Sequence, residues 1–206
     1  MGIFTEPQTK SRSRSETRAR LVRIGTEILS EKGFISTGLE EILERAGVPK
    51  GSFYYYFESK AKFGFAVIDH YEYLWAQKLT RLLRDPSIAP LDRIDNYISE
   101  AARGLEKYDF RRGCLIGNIG QEMVGLDDDF RVRILRVLGS WADYVADCLQ
   151  AAKDLGDLPA DFDVAEMSKF FWSAWEGVIL DAKVARSLDP VHRFRSVLFK
   201  YMLVKG

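Results

Sequence analysis

The stretch from Leu39 to Lys60 constrains this chain more than any other. Leu39, Ile42, Leu43 and Ala46 recur at helical spacing, with Glu40, Glu41 and Glu44 on the opposite face. Gly47 ends that helix, and Pro49 suits the first turn of the next, where its missing N–H is not needed. The next helix is predicted over Lys50 to Phe57 and holds five consecutive aromatics, Phe53 to Phe57. Consecutive helix positions point about 100° apart, so one core cannot absorb all five. Phe53 and Phe57, at i and i+4, face inward. Lys50, Ser52, Tyr54 and Tyr55 stay outside. A short helix presenting a cation and hydroxyls has the chemistry of phosphate and groove recognition. With a longer helix before it, the pair forms a helix-turn-helix.

The rest of the chain also reads as helix. Residues 1–14 lack apolar periodicity and are expected to be a disordered basic arm. A helix is expected from Ser15, its cap, with Leu21, Ile24, Ile28 and Leu29 on one face and Gly33 as its stop. Ser59 caps a long helix to about Leu83, which Asp85-Pro86 and Ala89-Pro90 break. Further patterns span Leu91–Lys107, Cys114–Val124, the acidic start at Asp127 to Leu155, Val164–Ser187 and Pro190–Val204. No window alternates with period two. The expected architecture is all-α: a helix-turn-helix head over residues 15–62 and a helical body over residues 63–206.

Lys plus Arg and Asp plus Glu each number 30, so the formal net charge is zero. The balance conceals a basic head: residues 1–25 carry six Lys and Arg against two Glu. Such a segment reads either as a solubility tail or as an arm that meets phosphates. Two cysteines, Cys114 and Cys148, are too few for a disulfide scaffold or a four-thiolate zinc site. No apolar run is long enough to span a bilayer, so the expectation is a cytoplasmic chain with reduced thiols and no membrane partner. No Gly-x-Ser-x-Gly, phosphate loop or metal-spaced His/Cys set is present. His70 and His192 are the only histidines. No catalytic residues, metal or cofactor are therefore expected.

Gly33-Phe34, Thr37, Leu39, Ile42, Ala46 through Tyr54, Tyr56-Phe57, Ser59-Lys60 and Phe63 together resemble the N-terminal signature of the TetR family of transcriptional repressors. The resemblance implies a homodimer whose two recognition helices enter successive major grooves of a palindromic double-stranded operator. It gives DNA binding to the head, and effector binding and dimerisation to the body over residues 63–206. It assigns phosphate contacts to Thr37, Tyr54, Tyr56 and Lys60, and groove contacts to Lys50, Gly51, Ser52 and Tyr55. Arg12, Arg14 and Arg18 are placed to serve as an arm. Gly38 and Glu40 depart from the family pattern; Glu40 either accepts from cytosine N4 or repels DNA.

In the body, Cys114, Asn118, Gln121 and Glu122 fall on one helical face and are expected to share one cavity. Gly113-Cys114-Leu115 is similar to a segment of TetR-like repressors that sense electrophiles or small unsaturated acids. A thiol at a helix N-terminus beside Arg111 and Arg112 is expected to favour its thiolate, which adds to unsaturated carbonyls and oxidises readily. The plainer reading is a small core residue. Trp172, Trp175 and Glu176 share a second face, which suits either a small-molecule effector pocket or packing and dimer interface. Lys183 is free to pair with Asp181, Glu176 or a ligand carboxylate. Cys148 reads as structural.

Overall fold

The computed structural model describes residues 7–204, with side chains from Ser13 onward. Among the described residues every regular element is helical. Helix α1 (Pro7–Lys32) precedes α2 (Leu39–Arg45) and α3 (Phe53–Tyr56). Helices α4 (Lys60–Leu83), α5 (Pro90–Lys107), α6 (Leu115–Met123), α7 (Asp128–Asp154), α8 (Val164–Ala185) and α9 (Asp189–Val197) follow, and a π-helical turn (Leu198–Met202) closes the chain.

Two boundaries differ from the sequence expectation, each for a local reason. Helix α1 runs back to Pro7, so residues 7–14 are helical and Ser15 is not a cap. Tertiary contacts hold that polar segment: the Arg14 guanidinium donates to the Tyr55 carbonyl at 2.9 Å and lies 4.5 Å over its ring. Arg18 lies 4.9 Å over the Phe57 ring. Residues 1–6 and the side chain of Arg12 lie outside the described residues. Helix α3 is shorter than expected because Pro49 to Ser52 form a turn. Ser52 N donates to the Pro49 carbonyl at 3.2 Å, and Gly51 takes φ +88°. Pro49 therefore precedes the helix by a full turn and does not start it.

The head is packed by aromatic rings. Phe53 and Phe57 are buried and meet Phe63 of α4 edge-on, with centroids 5.6 and 5.0 Å away. Helix α4 begins at a capped end, where the Ser59 hydroxyl accepts from Lys62 N at 3.1 Å. It runs from the head into the body, where α5, α7 and α8 surround a second aromatic cluster. Trp141, Tyr97, Phe171, Trp172 and Trp175 are all buried there. The Asp127 carboxylate caps α7 by accepting from Asp129 N and Phe130 N. The acidic run at 127–129 thus acts as a helix start, as expected of its charge.

Candidate functional site

The outer face of the head carries Lys50, Gly51, Tyr54 and Tyr55. Tyr54 is 68% exposed and Tyr55 58%. Ser52 and Tyr56 are half-buried, and the Ser52 hydroxyl donates to the Pro49 carbonyl at 2.7 Å. Lys50 Nζ stands 3.2 Å from Glu40 Oε2, an exposed pair that joins α2 to the turn before α3. Lys60 turns inward: its ammonium donates to the Ile35 carbonyl at 3.3 Å and lies 4.8 Å over Phe34. Burial lowers its pKa, opposed by the nearby charge of Glu122. Thr37 departs from its expected phosphate role. It is 1% exposed, and its hydroxyl donates to the Gly33 carbonyl at 2.6 Å, so it ties the α1–α2 turn from inside.

The body encloses a cavity of about 130 Å³. Helix α4 contributes Tyr71, Trp75 and Lys78, α5 contributes Tyr97 and Gly104, and α8 contributes Trp172, Trp175 and Glu176. Arg112, Gly113 and Cys114 close it from the connection into α6. Three expected residues of α8 and the expected thiol therefore meet at one wall. Tyr71, Trp75, Lys78, Tyr97 and Tyr108 also line it. They recur at helical spacing on amphipathic helices, a pattern that reads as core in sequence, so nothing marked them as lining.

The polar groups at the inner wall are poorly satisfied. Trp172 Nε1 and Glu176 Oε1 are buried without a hydrogen-bond partner. Buried indole N–H and carboxylate oxygens ordinarily find one. The Glu176 carboxyl shares this wall with the Cys114 thiol and abuts Gly117, where a Cβ would collide with it. Burial pushes the Glu176 carboxyl above its ordinary range.

Cys114 does not have the activated thiolate expected of its neighbours. It caps α6 but is only 6% exposed, and burial pushes its thiol well above the ordinary value, reinforced by Glu176. The amides of Ile116 and Gly117 pull in the other direction without winning. The two arginines are engaged by other partners. Arg111 pairs with Asp109 at 3.5 Å, and Arg112 donates to Glu31 at 2.7 Å and lies 4.1 Å over Tyr108. Cys148 is buried and donates to the Pro90 carbonyl at 2.9 Å, and burial raises its pKa to about 11. That fits the structural reading.

Asn118, Gln121 and Glu122 do not join Cys114 at the cavity. Gln121 is exposed. Asn118 Nδ2 donates to the Ser30 carbonyl at 3.1 Å, and Glu122 Oε2 accepts from Phe34 N at 2.5 Å and Ile35 N at 3.0 Å. The shared face was legible, but its neighbour is the end of α1, not the ligand space. Lys183 lies against Gly113, its Nζ 3.0 Å from where a Cβ there would stand. Asp181 pairs instead with Arg193, at 3.8 Å. Among the described residues no helix is long and apolar enough to cross a membrane.

Two family models match the chain. Residues 21–67 match "Bacterial regulatory proteins, tetR family", and residues 90–198 match "Tetracyclin repressor-like, C-terminal domain". The chain is 43% identical to the transcriptional regulator AcuR of Cereibacter sphaeroides over 185 residues, which is 90% of this chain and 84% of that one. It is 31% identical to the transcriptional repressor DhaR of Mycobacterium sp., over 93% of this chain and 94% of that one. A crystal structure of a regulatory protein TetR from Rhodobacter sphaeroides superposes with a TM-score of 0.85 at 44% identity, covering 89% of this chain and 97% of that one. The reduced form of Escherichia coli NemR superposes with a TM-score of 0.81 at 27% identity, covering 93% and 97%. These matched proteins are regulators, not enzymes. With a helix-turn-helix head joined to a helical body around a small aromatic cavity, the chain belongs to the TetR family of DNA-binding transcriptional regulators.

Proposed function

We propose that the chain is a cytoplasmic homodimeric repressor, released from a palindromic operator by a small electrophile or unsaturated acid acting beside Cys114. The observation that carries this reading is the cavity, where a thiol, a carboxyl and an unpartnered indole N–H meet on one aromatic wall. Its volume of about 130 Å³ is close to the ~150 Å³ that holds a benzene-sized molecule. That size suits a compact effector. Repression is supported by the relatives whose names state it, DhaR and NemR. Dimerisation is supported by exposed apolar side chains on α8 and beyond, Phe170, Leu180, Val184 and Tyr201.

The chemistry balances for an α,β-unsaturated carbonyl. A bond forms between Cys114 Sγ and the β-carbon, the C=C π pair moves to the α-carbon, and the thiol proton ends there. Glu176 lines the cavity with the thiol and is the group proposed to pass that proton on. Trp172 Nε1 is available to donate to the carbonyl oxygen as charge develops on it. The raised thiol pKa also favours a second reading, in which the same effector binds without a bond and Cys114 only packs.

A gel shift on operator fragments separates the two. Wild type and Cys114→Ser are challenged with acrylate and with 1,4-benzoquinone, and the protein mass is measured afterwards. The covalent reading expects release and a Cys114 adduct in wild type and no release of the serine variant. Equal release of both favours non-covalent binding. An unresponsive wild type contradicts this class of effector.

A further inference from the structure

We propose that Glu122 is a positioning residue for DNA reading: its carboxylate holds the α1–α2 turn and so couples the head to the cavity through α6. The inference rests on DNA binding by the head and not on the effector's identity. Four contacts along one line support it. Gly113 N donates to the Ser30 carbonyl at 3.1 Å, immediately before the cavity thiol. One turn into α6, Asn118 Nδ2 donates to that same carbonyl. One turn further, Glu122 accepts from Phe34 N and Ile35 N, the first two amides after Gly33. Beside these, Arg112 donates to Glu31 near the end of α1.

The turn itself is built to receive that carboxylate. Gly33 takes φ +83°, and a Cβ there would collide with Glu122 Oε1. Thr37 ties the turn from within through the Gly33 carbonyl, and Lys60 reaches the Ile35 carbonyl from α4. Helix α2 starts at Leu39, four residues after Ile35, so the angle at which α2 and α3 leave α1 depends on this turn. From Cys114 to Glu122 is about 12 Å along one short helix, at 1.5 Å per residue. A shift of α6 at its cavity end therefore reaches two amides of the head without an intervening loop.

The chain carries its own reporter. Its four tryptophans are Trp75, Trp141, Trp172 and Trp175. Three line the cavity, and Trp141 packs on Trp172 with centroids 5.1 Å apart. The head has none, so tryptophan emission reads the body alone.

The test titrates full-length protein with a DNA duplex that wild type selects from a random library, and follows tryptophan emission together with DNA anisotropy. Wild type is expected to change its emission on binding DNA. Glu122→Ala is expected to lose most of that change and to bind about tenfold more weakly, the scale of a lost charged hydrogen bond. Glu122→Gln, which keeps one acceptor, is expected to recover part of both. Gly33→Ala keeps every charge but displaces the carboxylate, and is expected to match Glu122→Ala. Circular dichroism checks the helix content of each, and a variant that fails to fold leaves the decision to the others. The proposal is overturned if wild-type emission ignores DNA, or if the folded variants keep the full response. Selection of no duplex by wild type would instead count against the DNA-binding reading beneath it.

Discussion

At the scale of single residues, Cys114 and Glu176 show how position overrides neighbourhood. The thiol sits at a helix start and follows two arginines, which in solution would favour its thiolate. Burial beside a carboxyl reverses the sign. Thiolate is the reactive form, so alkylation of Cys114 by iodoacetamide is expected to be slow at pH 7. The rate should climb about tenfold per pH unit through pH 9, because the titration lies above that range. Mass spectrometry of the labelled peptide, with Cys148 as internal comparison, measures it; a rate that levels between pH 7 and 8 contradicts the raised thiol. Sequence marked Cys114 on one helical face and Trp172, Trp175 and Glu176 on a second, since residue type and helical spacing carry that information; that the two faces meet at one cavity was visible only in the fold. It missed the direction of the thiol's shift, because side-chain direction at Arg111 and Arg112 depends on partners eighty residues away or on the turn itself.

At the scale of elements, the head was legible in type and less so in extent. Gly47, Pro49 and the aromatic run marked two short helices, and both are present. The start of α1 was illegible because its first turns have no apolar face; they rest on α3 through Arg14 and Arg18. The same dependence on context turned Thr37 from a phosphate contact into an internal tie. Thr37→Val keeps the shape and leaves the Gly33 carbonyl without that donor. It is expected to cost about 1–2 kcal/mol, the scale of a buried group left unpaired. Urea unfolding measures the loss. The salt dependence of operator binding should stay as in wild type, because no phosphate contact is removed; a shallower salt slope would restore the phosphate role.

At the scale of the whole molecule, zero net charge is the sum of unlike parts. Residues 1–62 hold eleven Lys and Arg against eight Asp and Glu, and residues 63–206 hold nineteen against twenty-two. A modest surplus on each head, doubled in the proposed dimer, suits a binder with few phosphate contacts and read-out in the groove. In the proposed dimer the doubling would rest on the exposed apolar face of α8, where Val184 is 77% exposed and Leu180 50%. Val184→Glu puts a carboxylate into the proposed apolar interface and is expected to shift the chain to monomer in sedimentation. Operator affinity should fall by at least about a hundredfold, since a lone head loses its second half-site. A dimer of unchanged strength would place the interface elsewhere.

The close fit between Gly33 and Glu122 also constrains how the chain can change over generations. A side chain at position 33 meets two obstacles, a left-handed backbone and an occupied volume. Loss of the Glu122 carboxylate removes only the second. Substitutions at the two positions are therefore non-additive, and their order matters: Gly33→Ala is tolerated better after Glu122→Ala than before it. The route by which a relative could rewire this joint passes through position 122 first.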